Sequence, residues 1–128
     1  MMVLDASAVL ALLQDARGAD AVEDAIDDGA IISAVNLSEV LAKMTDAGTT
    51  AQAAADLIVS LFVEVEPFGL ASARGAARIR GLLPTAGLSL SDRACLALGV
   101  AHGLPVVTAD QAWLGHAGRL GIDVRSIR

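Results

Sequence analysis

A chain of 128 residues accommodates one domain, residues 1–128, which removes roughly two-thirds of its unfolded surface from water. Hydrophobic residues make up 55% and aromatics only 2%, so the core is Ala, Val, Leu and Ile, a composition suited to α/β layers and too poor in rings for a base-stacking platform. The net charge of −6 argues against a protein that wraps nucleic acid in a wholly basic surface.

Met2 to Asp5 reads as a short buried strand and Ser7 to Gln14 as the helix after it. Gly18 to Asp28 is a second helical pattern, with Ala21, Val22, Ala25 and Ile26 on one face and five acids on the other. Ala30 to Val35 is a continuous apolar strand, and Asn36 is placed to cap a helix from Leu37 to Ala47. Gly48 punctuates, and Thr49 opens a long helix reaching about Leu61. Val63 to Glu66 predicts a third strand, stopped by Pro67. Leu70 to Leu83 is helical but interrupted by Gly75 and Gly81. Pro84 to Gly87 is a loop, Ser89 caps a helix from Leu90 to His102, and Leu104 to Thr108 is a fourth strand. Gln111 to Leu120 predicts a last helix ended by Gly121, and Asp123 to Ile127 a fifth strand.

Short apolar strands alternating with helices predict a parallel sheet joined by right-handed crossovers. In such sheets ligands bind beyond the carboxyl ends of the strands, where strand order reverses. Asp5 ends the first strand and Asp110 lies just past the fourth, so the two share a crevice if those strands are neighbours.

The longest uncharged stretch, Ala94 to Ala109, is 16 residues and contains His102, Gly103 and Pro105, short of the roughly 20 apolar residues of a membrane span. The apolar start lacks a basic leader and is interrupted by Asp5, unlike a secretory signal. The expectation is a cytoplasmic protein with no membrane association. Cys95 is the only cysteine; it forms no internal disulfide and reads as a buried thiol.

Four segments carry the candidate chemistry: Leu4-Asp5-Ala-Ser7, Asn36-Leu-Ser-Glu39, Ser89-Leu-Ser-Asp92 and Thr108-Ala-Asp110. Hard oxygen ligands of this kind hold Mg²⁺ or Mn²⁺, ions that commonly activate water against phosphate esters. Asn36-x-x-Glu39 and Ser89-x-x-Asp92 also fit the capping box, so either acid has a purely local alternative role. Asp5 is harder to explain locally, because an acid at the end of a buried strand needs a partner. At an effective dielectric of about 20, two like charges 4 Å apart repel by roughly 4 kcal/mol, so clustered carboxylates call for a divalent cation. Ser7, Asn36 and Thr108 are placed either to hydrogen-bond carboxylates or water around that ion or to cap helices.

Residues 1–66 carry twelve acids and two bases, whereas residues 67–128 carry three acids and seven arginines. The basic half therefore offers either a local track for a phosphate backbone or scattered solubilising charge. Arg74 and Arg78, on one helical face, and Arg93, beside Asp92, are the candidate phosphate contacts. His102 and His116 lack metal-ligand or triad spacing, and Gly115-x-x-Gly118-x-x-Gly121 is not a dinucleotide fingerprint. A phosphoacceptor receiver would need a lysine after a late strand, and the single lysine, Lys43, lies in an early helix.

At these residues the chain resembles PIN-domain ribonucleases, and among them the VapC-type toxins of bacterial toxin-antitoxin pairs. The likeness runs through Leu4-Asp5-Ala-Ser7-Ala-Val-Leu-Ala, Asn36-Leu-Ser-Glu39-Val-Leu-Ala-Lys43, Leu90-Ser-Asp92-Arg93-Ala-Cys-Leu-Ala-Leu98 and Thr108-Ala-Asp110-Gln-Ala-Trp113. The resemblance implies a three-layer α/β/α fold with a five-stranded parallel sheet and Mg²⁺- or Mn²⁺-dependent endonucleolytic cleavage of RNA. It also implies a homodimer and inhibition by a VapB-like antitoxin whose tail enters the catalytic groove. Asp5, Glu39, Asp92 and Asp110 would be the acidic quartet holding the metal. Ser91 stands where relatives often have Gly, and no further acid follows soon after Asp110. The alternative within the same fold is a non-catalytic module that binds protein or RNA.

Overall fold

The computed structural model describes residues 1–128. Five strands, β1 (Met2–Leu4), β2 (Ala30–Ser33), β3 (Glu64–Glu66), β4 (Val106–Thr108) and β5 (Val124–Ser126), form one parallel sheet in the order β3-β2-β1-β4-β5. Strands buried on both faces need apolar side chains at every position rather than at alternate ones. β2 and β4 are buried throughout, as is β1 apart from its first residue.

The period of two appears in which layer each residue meets. Leu4, Ile32 and Val107 pack with Val9, Val22, Val40 and Ala54, drawn from α1 (Ala6–Leu13), α2 (Ala19–Asp27), α3 (Ala34–Asp46) and α4 (Ala51–Ser60). Val3, Ile31, Val106 and Val124 face the other way, onto Ile79, Cys95, Leu96 and Leu120 of α5 (Leu70–Leu82), α6 (Leu90–His102) and α7 (Ala117–Leu120). Helices α1 to α4 thus cover one face and α5 to α7 the other, the three-layer α/β/α arrangement expected. No helix is long and apolar enough to cross a membrane.

Two glycines permit close packing around α6, one against the sheet and one against α5. A Cβ built at Gly99 would lie 2.5 Å from Val106 Cγ2, and one at Gly75 would lie 3.3 Å from Ala97 Cβ. Gly75 is therefore what allows α5 against α6, and the helix runs through it and Gly81 to Leu82.

Three predicted boundaries move. β2 ends at Ser33, whose Oγ accepts from Val35 N at 3.2 Å and caps α3, so Asn36 is not the cap but lies inside the first turn. The fourth helix starts later than expected, capped by Thr50. The predicted last helix splits into a 3-10 helix, Gln111–His116, and the short α7. Gly115 and Gly118 give that segment too little helix propensity to sustain α turns.

Candidate active site

β1 and β4 are hydrogen-bonded neighbours, with β2 and β3 on one side and β5 on the other. Strand order therefore reverses at their carboxyl ends, the place where such sheets open a crevice. Asp5 follows β1 directly. Its N–H donates to Val107 O at 2.9 Å, which holds it in the ladder, and the residue is 5% exposed.

Its carboxylate is fixed by two hydroxyls. Ser7 Oγ and Thr108 Oγ1 both donate to Asp5 Oδ2, at 2.6 and 2.9 Å. Each hydroxyl in turn accepts a backbone N–H, Ser7 from Ala109 at 2.9 Å and Thr108 from Asp110 at 3.0 Å. Both hydroxyl protons are thus committed to Asp5, and the Thr108-Ala-Asp110 turn is tied to it. Burial pushes the Asp5 carboxyl above the usual carboxylate range and the negative field of Asp92 adds to this, against the opposing pull of Ser7, Thr108 and the Ala6 N–H. No side chain supplies a compensating cation: the one ion pair of the chain is Arg125 with Asp123, on the surface.

Glu39 lies in the second turn of α3, because that helix starts at Ala34. It cannot therefore serve as a capping-box acid, which must be the third residue after the cap. Asp92, by contrast, does complete a capping box. Ser89 N–H donates to Asp92 Oδ2 at 2.9 Å and Asp92 N–H donates to Ser89 Oγ at 3.1 Å. Asp110 is exposed and caps the 3-10 helix, its Oδ1 accepting from Ala112 N at 3.0 Å. Each of these caps engages one oxygen of its carboxylate.

Asn36 is fully buried and touches no carboxylate: its Nδ2 donates to Ser91 O at 2.9 Å, and its Oδ1 is buried without a partner. It ties the first turn of α3 to the residue preceding Asp92, so it sets where Glu39 and Asp92 stand relative to each other. Nothing in the segment 36–39 signalled this long-range tie, which looks like a cap in sequence. Cys95, one turn along α6 from Asp92, is fully buried. Burial pushes its thiol well up, and the fields of Asp5, Asp92 and Glu39 add to the shift. Three of the four acids therefore act on one point beneath the crevice.

The carboxylates nevertheless stop short of a closed cage: no three Asp, Glu, His or Cys side chains meet at metal-ligating distance. Asp92 and Asp110 are each held by a cap, and the acids stand as an open rim. The donor set still fits a hard divalent cation, because the rim is all oxygen and its buried member, Asp5, lacks any counter-charge.

Arg93 is half-buried with a buried, unpartnered Nε, and it pairs with none of the four acids. It shares a cavity with Arg80. Arg74 is exposed on α5, and Arg78 lines a different groove, against Val100 and Leu120. Trp113 is a core residue, 1% exposed, with its indole N–H unpartnered.

A PIN-domain family model matches residues 2–119, while no curated protein sequence gives a significant match. Among solved structures, a toxin–antitoxin complex from Klebsiella pneumoniae contains a chain of the same fold, with TM-score 0.75 at 16% identity over 100% of this chain and 98% of that one. VapBC2 from Rickettsia felis, bound to a promoter DNA fragment, gives 0.73 at 16% over 98% and 97%. VapBC-5 from Mycobacterium tuberculosis gives 0.63 at 22% over 98% and 97%. At these identities the likeness establishes the fold.

Proposed function

The chain belongs to the PIN-domain family, and from that premise we propose that it is a metal-dependent endoribonuclease that acts as the toxin of a VapBC-type toxin–antitoxin pair. The observation that carries the hydrolytic part is Asp5: a buried carboxylate, without a cation, at the reversal point of the sheet and in the field of Asp92.

Asp5, Glu39, Asp92 and Asp110 would hold Mg²⁺ or Mn²⁺. When bound, the ion supplies the Lewis acidity that activates water and offsets charge on phosphoryl oxygens. The chain's own contribution is positioning. Ser7 and Thr108 fix the Asp5 rotamer through Oδ2. The Ser89 cap holds one oxygen of Asp92 and the Ala112 N–H holds one of Asp110, which orients the other oxygen of each. Asn36 holds α3 against α6 and so keeps Glu39 in register with Asp92. A rim carboxylate not fully engaged by the ion would orient the attacking water, and Arg93 stands beside Asp92 to meet a phosphate.

Labelled RNA incubated with the protein should be cut with Mn²⁺ and left intact with EDTA. Asp5→Asn and Asp110→Asn should fold and fail to cut. Folded variants that cut as well as the parent would refute the assignment, and RNA left intact by the parent under Mn²⁺ would leave the non-catalytic module. The antitoxin partner is supported by fold likeness to chains of toxin–antitoxin complexes. A homodimer is the expected oligomer, and light scattering at the mass of a single 13.0 kDa chain would exclude it.

A further inference from the structure

Beside the acidic rim lies a feature of opposite sign. Arg80, from the end of α5, and Arg93, from the start of α6, line one cavity of about 140 Å³ with Leu83, Pro84, Gly87 and Leu88. No acid lines it, and neither guanidinium takes part in an ion pair. Arg93 Nε is cut off from solvent and has no acceptor, an arrangement that a protein rarely keeps without a ligand or ordered water. Arg93 also sits near the N-terminal end of α6, where the helix dipole disfavours a cation, so helix stability does not account for it. The Leu83, Pro84 and Leu88 walls lower the local dielectric and strengthen the attraction for an anion.

The volume corresponds to about four or five waters, which suits a phosphate group and is too small for a stacked base with its sugar. Two guanidinium forks suit a phosphate's oxygens better than ammonium groups would. Position supplies the rest. Arg93 adjoins Asp92, and Leu88 adjoins Ser89, whose N–H and hydroxyl hold the Asp92 cap. The cavity is thus lined by residues directly flanking the turn that holds Asp92.

We infer that the Arg80–Arg93 cavity binds a phosphodiester of the RNA strand, next along the chain from the one held at the acidic rim. The inference rests on the nuclease assignment for the identity of the strand. Arg80, rather than Arg74 or Arg78, is the α5 arginine that joins Arg93.

Fluorescence anisotropy of a labelled single-stranded RNA in EDTA tests it without turnover, across a range of NaCl, for the parent chain, Arg80→Gln, Arg93→Gln and Arg17→Gln. Arg17 lies between α1 and α2, which cover the sheet face away from α5 and α6, and serves as the control. Arg80→Gln and Arg93→Gln should each weaken binding roughly tenfold and lower the slope of log K against log salt by about 0.7, while Arg17→Gln leaves both unchanged. Arg80 is exposed, so its variant keeps the test valid if Arg93→Gln fails to fold. Unchanged affinity and slope in folded Arg80→Gln would overturn the inference. Inorganic phosphate, followed through the Gly87 and Leu88 amide resonances, should shift them only at millimolar concentration. Saturation at micromolar phosphate, with RNA binding unaffected by Arg80→Gln, would assign the cavity to a free anion and overturn it as well. Loss of RNA affinity in both variants, with no Mn²⁺-dependent cleavage by the parent, would uphold the cavity and refute hydrolysis. Cleavage by Arg80→Gln with KM unchanged would do the reverse.

Discussion

Replacing Thr108 with Val removes one hydroxyl and almost no volume, which isolates the bond that holds Asp5. The lost donor is charge-assisted and worth about 1.5–3 kcal/mol, and the Asp110 N–H loses an acceptor worth about 1 kcal/mol. The sum, about 3 kcal/mol, corresponds to a fall in Tm of roughly 10 °C for 128 residues at about 2.1 cal/mol/K each. The deficit must depend on pH. Burial raises the Asp5 pKa in the folded state, so the stability linked to this group is fully present below its unfolded value of 3.8 and is lost as pH rises through the folded value. Thr108→Val removes one of the bonds that opposes that rise, so it should cost most at pH 7 and progressively less as pH falls toward 4. Thermal unfolding by circular dichroism at pH 7 and pH 4.5 measures both effects, with Thr108→Ser as the variant that keeps the hydroxyl. A deficit under about 0.5 kcal/mol, or one equal at both pH values, would refute the view that Thr108 serves the Asp5 charge.

Asp5→Asn should stabilise the ion-free chain at neutral pH by about 0.5–2 kcal/mol, as removal of a functional-site liability commonly does; the gain should vanish near pH 4, and Tm is the measurement. The parent should gain stability from Mn²⁺ as RT ln(1 + [L]/Kd), about 2.7 kcal/mol at 100 times Kd, and Asp5→Asn should gain almost none, which a Tm titration against the ion would show. Gly99→Ala should cost about 1–3 kcal/mol through overpacking, since its Cβ would sit 2.5 Å from Val106 Cγ2, and adding Val106→Ala should recover part of it in urea unfolding. Ser89→Ala should cost about 1 kcal/mol for the lost cap and leave Mn²⁺ affinity nearly unchanged, because the group that holds the Asp92 carboxylate is the Ser89 backbone N–H, which alanine keeps; calorimetry showing a large loss of ion affinity would contradict that.

β2 and β4 were legible because burial on both faces leaves little room for polar positions, so Ala30 to Ile32 and Val106 to Val107 stand out as apolar, with Ser33 and Thr108 at the strand ends; β3 and β5 are more exposed. Alternation of strands and helices predicted the parallel sheet but left its strand order open; the pairing of β1 with β4, which brings Asp5 to Thr108, comes from the structure. What the sequence could not reveal depends on pairing and packing. Ser33 and Asn36 are both good caps in composition. The choice falls to Ser33 because Ser33 pairs with Glu66 at the end of the ladder, and that shift of three residues moves Glu39 out of capping reach and turns Asn36 inward. Arg80 is likewise indistinguishable from Arg74 and Arg78 on an isolated helix. Which of them meets Arg93 is decided by how closely α5 approaches α6, and that depends on Gly75 against Ala97.

The division of labour among the acids follows from where each gets its compensation. Asp92 and Asp110 stand at helix starts, where unpaired N–H groups and the helix dipole favour a negative charge, and each engages such an N–H with one oxygen. Asp5 also precedes a helix and takes some relief from the Ala6 N–H, but it makes no side-chain cap, it is desolvated, and two neutral hydroxyls are its side-chain partners. If an ion binds here, the charge it would relieve most is that of Asp5, while the half-buried Asp92 and the exposed Asp110 would contribute oxygen with a smaller desolvation penalty. An ion entering this rim would favour the charged form of Asp5, whose burial raises its pKa, so proton release on metal binding, followed by calorimetry in buffers of different ionisation enthalpy, should be smaller in Asp5→Asn than in the parent; equal release in the two would refute this.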